Sequence, residues 1–191
     1  MTTERASPAF SLPAALLAKG FDLRPETDAD IAFLMRLFAS TREHELAPLP
    51  WTAEQKAAFL AQQFQAQRRH YRTQLDNCAF DVIQHQGVPA GRIYVQTDPT
   101  HLHLVDISLM PDWRGQGVGA AILEALQAAA AARDKGLSAF VEQSNPARRL
   151  YQRLGFTEVA DHGVYLEIVW TEPPPPSVAG ASPAVERSPG N

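Results

Sequence analysis

Two segments of this chain carry residue types at spacings suited to chemistry. In Leu109-Met-Pro-Asp-Trp-Arg-Gly-Gln-Gly-Val-Gly119, glycines stand at the alternate positions 115, 117 and 119, just before a stretch rich in alanine and leucine. Glycines free a backbone to present its N–H groups, and a helix N-terminus adds partial positive charge, so this turn suits a phosphate or pyrophosphate. Arg114 adds a full charge. In the second segment, Glu142-Gln-Ser-Asn145-Pro-Ala-Arg-Arg-Leu-Tyr151-Gln-Arg-Leu-Gly155-Phe156, Asn145 and Pro146 read as a cap and first residue of a short helix that ends at Gly155. Taken alone, Tyr151 on that helix reads as a packed phenol with a satisfied hydroxyl.

The glycine turn admits three readings. It lacks the Gly-Lys-Ser/Thr of a Walker loop, which excludes that one. A purely structural turn and a dinucleotide-binding turn remain, the latter because Gly115-Gln-Gly117-Val-Gly-Ala120 fits GxGxxG/A and Glu142 ends the next strand. Against the dinucleotide reading, Pro111-Asp-Trp-Arg separates the turn from its strand, and an antiparallel meander stands where repeated βαβ units are needed.

The elements that must position these residues follow from periodicity. Phe21–Arg24 alternates as a first strand, and Thr27 or Asp28 caps a helix carrying Ile31, Leu34, Met35 and Phe38. Thr52 and Gln55 form a capping box for a second helix with Leu60, Phe64 and Tyr71 on one face. Strands 79–86, 91–97 and 102–109 make a meander, and a helix over 120–135 stops at Gly136. A strand over 137–142, the Asn145 helix, and strands 156–160 and 164–170 complete the order β-α-α-β-β-β-α-β-α-β-β.

Composition sets the outer limits. The chain has 191 residues, 45% hydrophobic and 20% charged, with a net charge of −4, which fits one globular domain with tails. The mildly acidic balance, with no block of basic residues, argues against nucleic acid or an anionic membrane as partner. The single Cys78 points to a reducing compartment, and the cytoplasm is the expected location. Residues 1–20 read as a flexible N-terminal segment whose Phe10, Leu12, Leu16 and Leu17 dock as a short amphipathic turn. The folded domain spans 21–171, and 172–191 read as a disordered Pro-rich tail.

The two chemical segments together resemble the GNAT superfamily of acyl-CoA-dependent N-acyltransferases. Arg114-Gly-Gln-Gly-Val-Gly119 is similar to its Arg/Gln-x-x-Gly-x-Gly/Ala pyrophosphate loop, and Asn145-x-Ala147-x-x-x-Tyr151-x-x-x-Gly155-Phe156 to its second motif. The resemblance implies an α/β (α+β type) fold, a mixed and mostly antiparallel sheet with a central splay flanked by about four helices. Acetyl-CoA would then be the cosubstrate, with no metal. The backbones of Ile107 and Leu109 would pair with the pantetheine amides, and the N–H groups of Arg114, Gly115, Gln116, Gly117, Val118 and Gly119 would hold the pyrophosphate. Asn145 would contact the pantetheine arm, and Tyr151 would protonate the leaving thiolate. An amine would attack the thioester directly.

A base is needed because an alkyl amine is protonated at neutral pH. Glu142 ends its strand at the expected gap and is the favoured base; Asp106 on the facing strand is the other candidate, unless alternation turns it into a structural role. In the region that this family uses for its acceptor, Glu43 and Glu45 would attract a cationic amine and Trp51 would form an aromatic wall. Arg68, Arg69 and Arg72 read as a solvated helix face, and His101 and His103 as solvated residues at a strand start. The expected activity is acetyl transfer to a small-molecule or peptide amine by a monomer or homodimer. A non-catalytic acyl-CoA-binding sensor or interaction module is the alternative from another class.

Overall fold

A computed structural model describes residues 9–172. Seven strands, β1 (Phe21–Pro25), β2 (Cys78–His85), β3 (Val88–Thr97), β4 (His101–Leu109), β5 (Gly136–Glu142), β6 (Thr157–Asp161) and β7 (Tyr165–Trp170), form one sheet in the order β1-β2-β3-β4-β5-β7-β6. Five helices, α1 (Ala14–Ala18), α2 (Ile31–Leu46), α3 (Ala53–Gln74), α4 (Val118–Ala131) and α5 (Arg148–Arg153), complete it. All neighbouring strands are antiparallel except β4 and β5. The larger core joins α1 and α4 to one sheet face through Leu16, Ile93, Ile122, Leu126 and Leu137; a smaller one joins α2 and α3 to Val82 through Leu34, Leu37, Phe38 and Phe64.

Local chemistry explains the helix starts. Thr52 Oγ1 accepts from the Gln55 N–H at 3.2 Å while the Gln55 side chain accepts from the Thr52 N–H at 2.8 Å, the reciprocal box expected from the sequence. Thr52→Ala should therefore cost about 1 kcal/mol of stability, read as a lower urea midpoint at unchanged slope. Thr27 makes a second box with Asp30. Asp30 is 4% exposed, and the Arg24 guanidinium, bonded to it at 2.6 and 2.7 Å, holds its carboxyl well below the usual range.

The N-terminal segment departs from expectation. Ala9, Phe10, Leu12 and Leu16 are buried in the larger core, so the stretch 9–20 belongs to the domain instead of forming a loose end. Phe10, Leu12 and Leu16 are among the residues expected to dock, whereas Leu17 is exposed. Residues 1–8, and the expected disordered tail from 173 onward, lie outside the described residues. The helix expected to begin after Asn145 starts at Arg148 instead, because Asn145 first closes a tight turn with its Oδ1 on the Ala147 N–H at 2.9 Å.

The feature that matters for function lies between β4 and β5. Their parallel ladder runs only from His101↔Gly136 to Leu104↔Ala139, and beyond it β5 pairs with β7 alone. The two strands part where β4 carries a bulge: Tyr94 faces Asp106 and Val95 faces Leu104, which leaves Val105 without a partner on β3. An extra residue bends its strand and reverses the alternation of side chains. Leu102 and Leu104 before the bulge, and Ile107 and Leu109 after it, therefore all face the larger core. Asp106 is sent to the opposite face. At the paired end, His103 joins the strands, with Nε2 2.5 Å from Asp98 Oδ2 and Nδ1 hydrogen-bonded to Ser138 Oγ of β5. It is half-buried and partnered, not the solvated histidine expected.

Candidate active site

Main-chain geometry makes the floor of the gap. The Met110 N–H donates to the Ala90 carbonyl of β3 at 2.8 Å, so the Leu109 carbonyl, which belongs to the same peptide unit, points the other way, toward the gap. In an extended strand the N–H and C=O of one residue share a side and the side alternates, so Leu109 and Ile107 both turn their polar groups to the gap. The N–H and C=O of Ile107 and the N–H of Leu109 thus face the gap outside the truncated ladder, and the Leu109 carbonyl, which faces it too, accepts from Arg114 Nε at 2.8 Å.

A 3-10 turn over Pro111–Trp113 links β4 to the glycine loop. Trp113 wedges edge-on against Phe21 at 5.1 Å and lies 4.4 Å from the His85 ring, which fixes the turn to the sheet. Gly117 caps α4 in the left-handed conformation, φ +81°, with open space where a Cβ would point. Only glycine adopts that conformation without strain. The loop N–H groups from Gly115 to Gly119 stand at the start of a 14-residue helix beside the end of β4. Arg114 differs from expectation, because its side chain turns away from the loop. Its Nε donates to the Leu109 carbonyl at 2.8 Å, one Nη to Ser40 Oγ at 2.7 Å and the other to the Ser40 carbonyl at 3.3 Å.

Tyr151 is buried in the larger core, with its ring edge-on to Phe156 at 5.3 Å. Burial, and after it the Asp106 charge, push its hydroxyl up to about 12. That hydroxyl has no hydrogen-bond partner among the described residues. Asp106 itself is bound by the buried Arg92 at 2.8 and 3.2 Å and by Ser108 Oγ at 2.8 Å, a structural role that leaves Glu142 as the carboxylate nearer the mouth. Arg92 also reaches Gln67 of α3 at 2.9 Å.

At the mouth, Glu142 meets Arg42 of α2 at 3.4 Å and the Tyr165 hydroxyl of β7 at 3.4 Å. Arg42 also holds Glu45 at 3.1 Å. The structure thus brings Glu45 and Glu142 together through one guanidinium, a bridge that sequence order offered no means of finding because the partners lie 100 residues apart. Glu43 is exposed and outside this cluster. Trp51 sits edge-on to Phe59 at 5.3 Å, half-exposed on the loop that joins α2 to α3. Arg68 and Arg72 are not a solvated face: both turn inward to Glu26, whose side chain is 1% exposed, at 3.2 and 2.7 Å.

A mixed sheet opened between a bulged strand and its parallel neighbour, with a glycine turn and helix start at the opening, has the architecture of a GNAT fold. The profile of the acetyltransferase (GNAT) domain matches residues 49–172, and the chain belongs to that family. Among solved structures it is similar to the PaiA N-acetyltransferase of Thermoplasma acidophilum in complex with coenzyme A, at TM-score 0.60 and 14% identity over 79% of this chain and 98% of that one. It is also similar to an acetyltransferase of Thermus thermophilus, at TM-score 0.58 and 23% identity over 79% and 96% of the two chains. Mycobacterium smegmatis RimJ in complex with CoA-disulfide follows at TM-score 0.51 and 19% identity, over 80% and 82%. These likenesses are of fold. No curated protein matches the chain. Among the described residues, no helix is long and apolar enough to cross a membrane.

Proposed function

We propose that the protein transfers the acetyl group of acetyl-CoA to a primary amine of a small molecule or peptide. The observation that carries this reading is the truncated β4–β5 ladder, which leaves the main chain of Ile107 and Leu109 facing a gap. Pantetheine amides would complete that ladder, and the loop from Gly115 to Gly119 would hold the pyrophosphate. The Asn145 carbonyl oxygen is engaged with Ala147, so its amide N–H₂ is the group left to meet the pantetheine arm.

Glu142, directly or through water, would take the proton from the acceptor ammonium, whose ordinary value is about 10.4. The freed nitrogen lone pair then forms the C–N bond as the C–S bond breaks; the Tyr151 O–H hydrogen-bonds the departing sulfur, and the second N–H proton, released as the amide forms, passes through water to the thiolate to give the free thiol. Backbone N–H donors of the splayed β4 stabilise the negative charge on the thioester oxygen. Glu45 and Glu142 outnumber Arg42 at the mouth, which favours a cationic acceptor.

A thiol-release screen with acetyl-CoA against polyamines, amino acids, aminoglycosides and peptides tests the reading: at least one acceptor should release thiol at a saturable rate. Saturable CoA binding with no release on any of them would favour a binding module instead. Gly117→Ala should weaken acetyl-CoA binding about tenfold, or ~1.4 kcal/mol, since its Cβ would enter the space over the loop and the left-handed conformation is strained. Calorimetry beside an unchanged circular dichroism spectrum checks this.

A further inference from the structure

The helix α2 spans the gap and is held at both sides by arginines. On the β5 side Arg42, from α2, reaches Glu142. On the β4 side Arg114, from the loop, reaches Ser40 of α2 and the Leu109 carbonyl. The two tethers differ in chemistry. Arg42 is neutralised by two carboxylates, whereas all three of the acceptors bonded to Arg114 are neutral oxygens. A guanidinium held by neutral acceptors on an exposed loop gains by turning to a doubly charged diphosphate, because charge-assisted pairs of this kind are stronger and form bidentately. One planar fork cannot serve Ser40 and a diphosphate at once.

From this geometry we propose that Arg114 is an exchangeable clasp that couples cosubstrate binding to the roof of the acceptor mouth. In the free protein it pins α2 at Ser40 and covers the Leu109 carbonyl. When the diphosphate of an acyl-CoA reaches the Gly115–Gly119 loop, the Arg114 guanidinium leaves both partners. Its departure exposes the Leu109 carbonyl to a pantetheine amide and releases the β4-side tether of α2, the helix that carries Arg42 and Glu45. This inference rests on the assignment of the diphosphate to the glycine loop.

The clasp competes with the ligand, so removing its partner should improve binding. A protein in which only a fraction of molecules is binding-competent shows an affinity reduced by that fraction. Ser40→Ala keeps a good helix former in α2 and lies outside the groups assigned to binding or chemistry. By calorimetry, Ser40→Ala should bind acetyl-CoA about threefold more tightly than wild type, the modest effect of one exposed hydrogen bond to a charged group. In an Arg114→Met background the same substitution should change nothing. Hydrogen exchange of the Ser40–Leu46 amides should quicken when acetyl-CoA binds wild type. Unchanged or weaker binding by Ser40→Ala, the same gain in the Arg114→Met background, or slower exchange would overturn the clasp while leaving the diphosphate site standing. Failure of acetyl-CoA to bind wild type at all would overturn both.

Discussion

Replacing Tyr151 by phenylalanine is expected to lower the maximal rate of acetyl transfer by at least a hundredfold, the lower end of the about 10²- to 10⁴-fold that a positioned acid contributes. The substitution removes one oxygen and leaves the ring against Phe156, so acetyl-CoA affinity and the melting temperature should stay near wild type. Because burial pushes the hydroxyl up to about 12, it remains protonated across the neutral range. Full transfer to a free thiolate of ordinary value about 8.5 is uphill. In the proposed reaction the phenol would therefore act as a hydrogen bond to sulfur as the C–S bond breaks, strongest while charge is developing. The pH profile of the maximal rate should show no alkaline fall from this group below about pH 11. Stability follows the same direction: the fold favours the neutral phenol, so its contribution is whole below the unfolded value of about 10 and is lost as pH rises toward about 12. Single-turnover kinetics on a confirmed acceptor decide the matter, and a Tyr151→Phe rate equal to wild type would return Tyr151 to a packing role.

The other large effect is structural. Arg92 is 4% exposed and carries Asp106 on the far side of the bulge. Arg92→Met would leave that carboxylate under the helices without its counter-ion, and breaking a buried pair from one side costs about 3–5 kcal/mol. For a domain of this length, the melting temperature should drop by roughly 10 °C. Removing both charges, as Arg92→Met with Asp106→Leu, should recover most of the loss, because no uncompensated charge remains. A single variant that melts with wild type would show that Asp106 finds water or another partner. The double variant also separates stability from chemistry, since a folded protein lacking Asp106 should still transfer acetyl groups if Glu142 is the base.

What could be read from the chain alone was what short-range chemistry dictates. The Thr52–Gln55 box, the glycine turn before α4 and the meander of β2, β3 and β4 rest on residues a few positions apart, and they stand as read. Features created by pairing were out of reach. Nothing local in Leu104-Val-Asp106 distinguishes a bulge from regular alternation, yet the bulge decides that Asp106 meets Arg92. Arg68 and Arg72 look like surface charge until Glu26 closes on them from the loop after β1. Arg114 fits its motif by position, while its guanidinium answers to Ser40, which lies 74 residues earlier.

Below its bulge, β4 is an edge strand in the middle of a sheet. Exposed edges offer unpaired N–H and C=O groups to any passing strand, and proteins usually blunt them with bulges, charges or covering segments. Here the bulge at Val105 turns the edge away from β5, the guanidinium of Arg114 caps the Leu109 carbonyl, and α2 lies across the opening. The bulge, the guanidinium and the helix that flank the proposed path of the pantetheine amides are thus also the devices that would blunt this edge against pairing with another polypeptide.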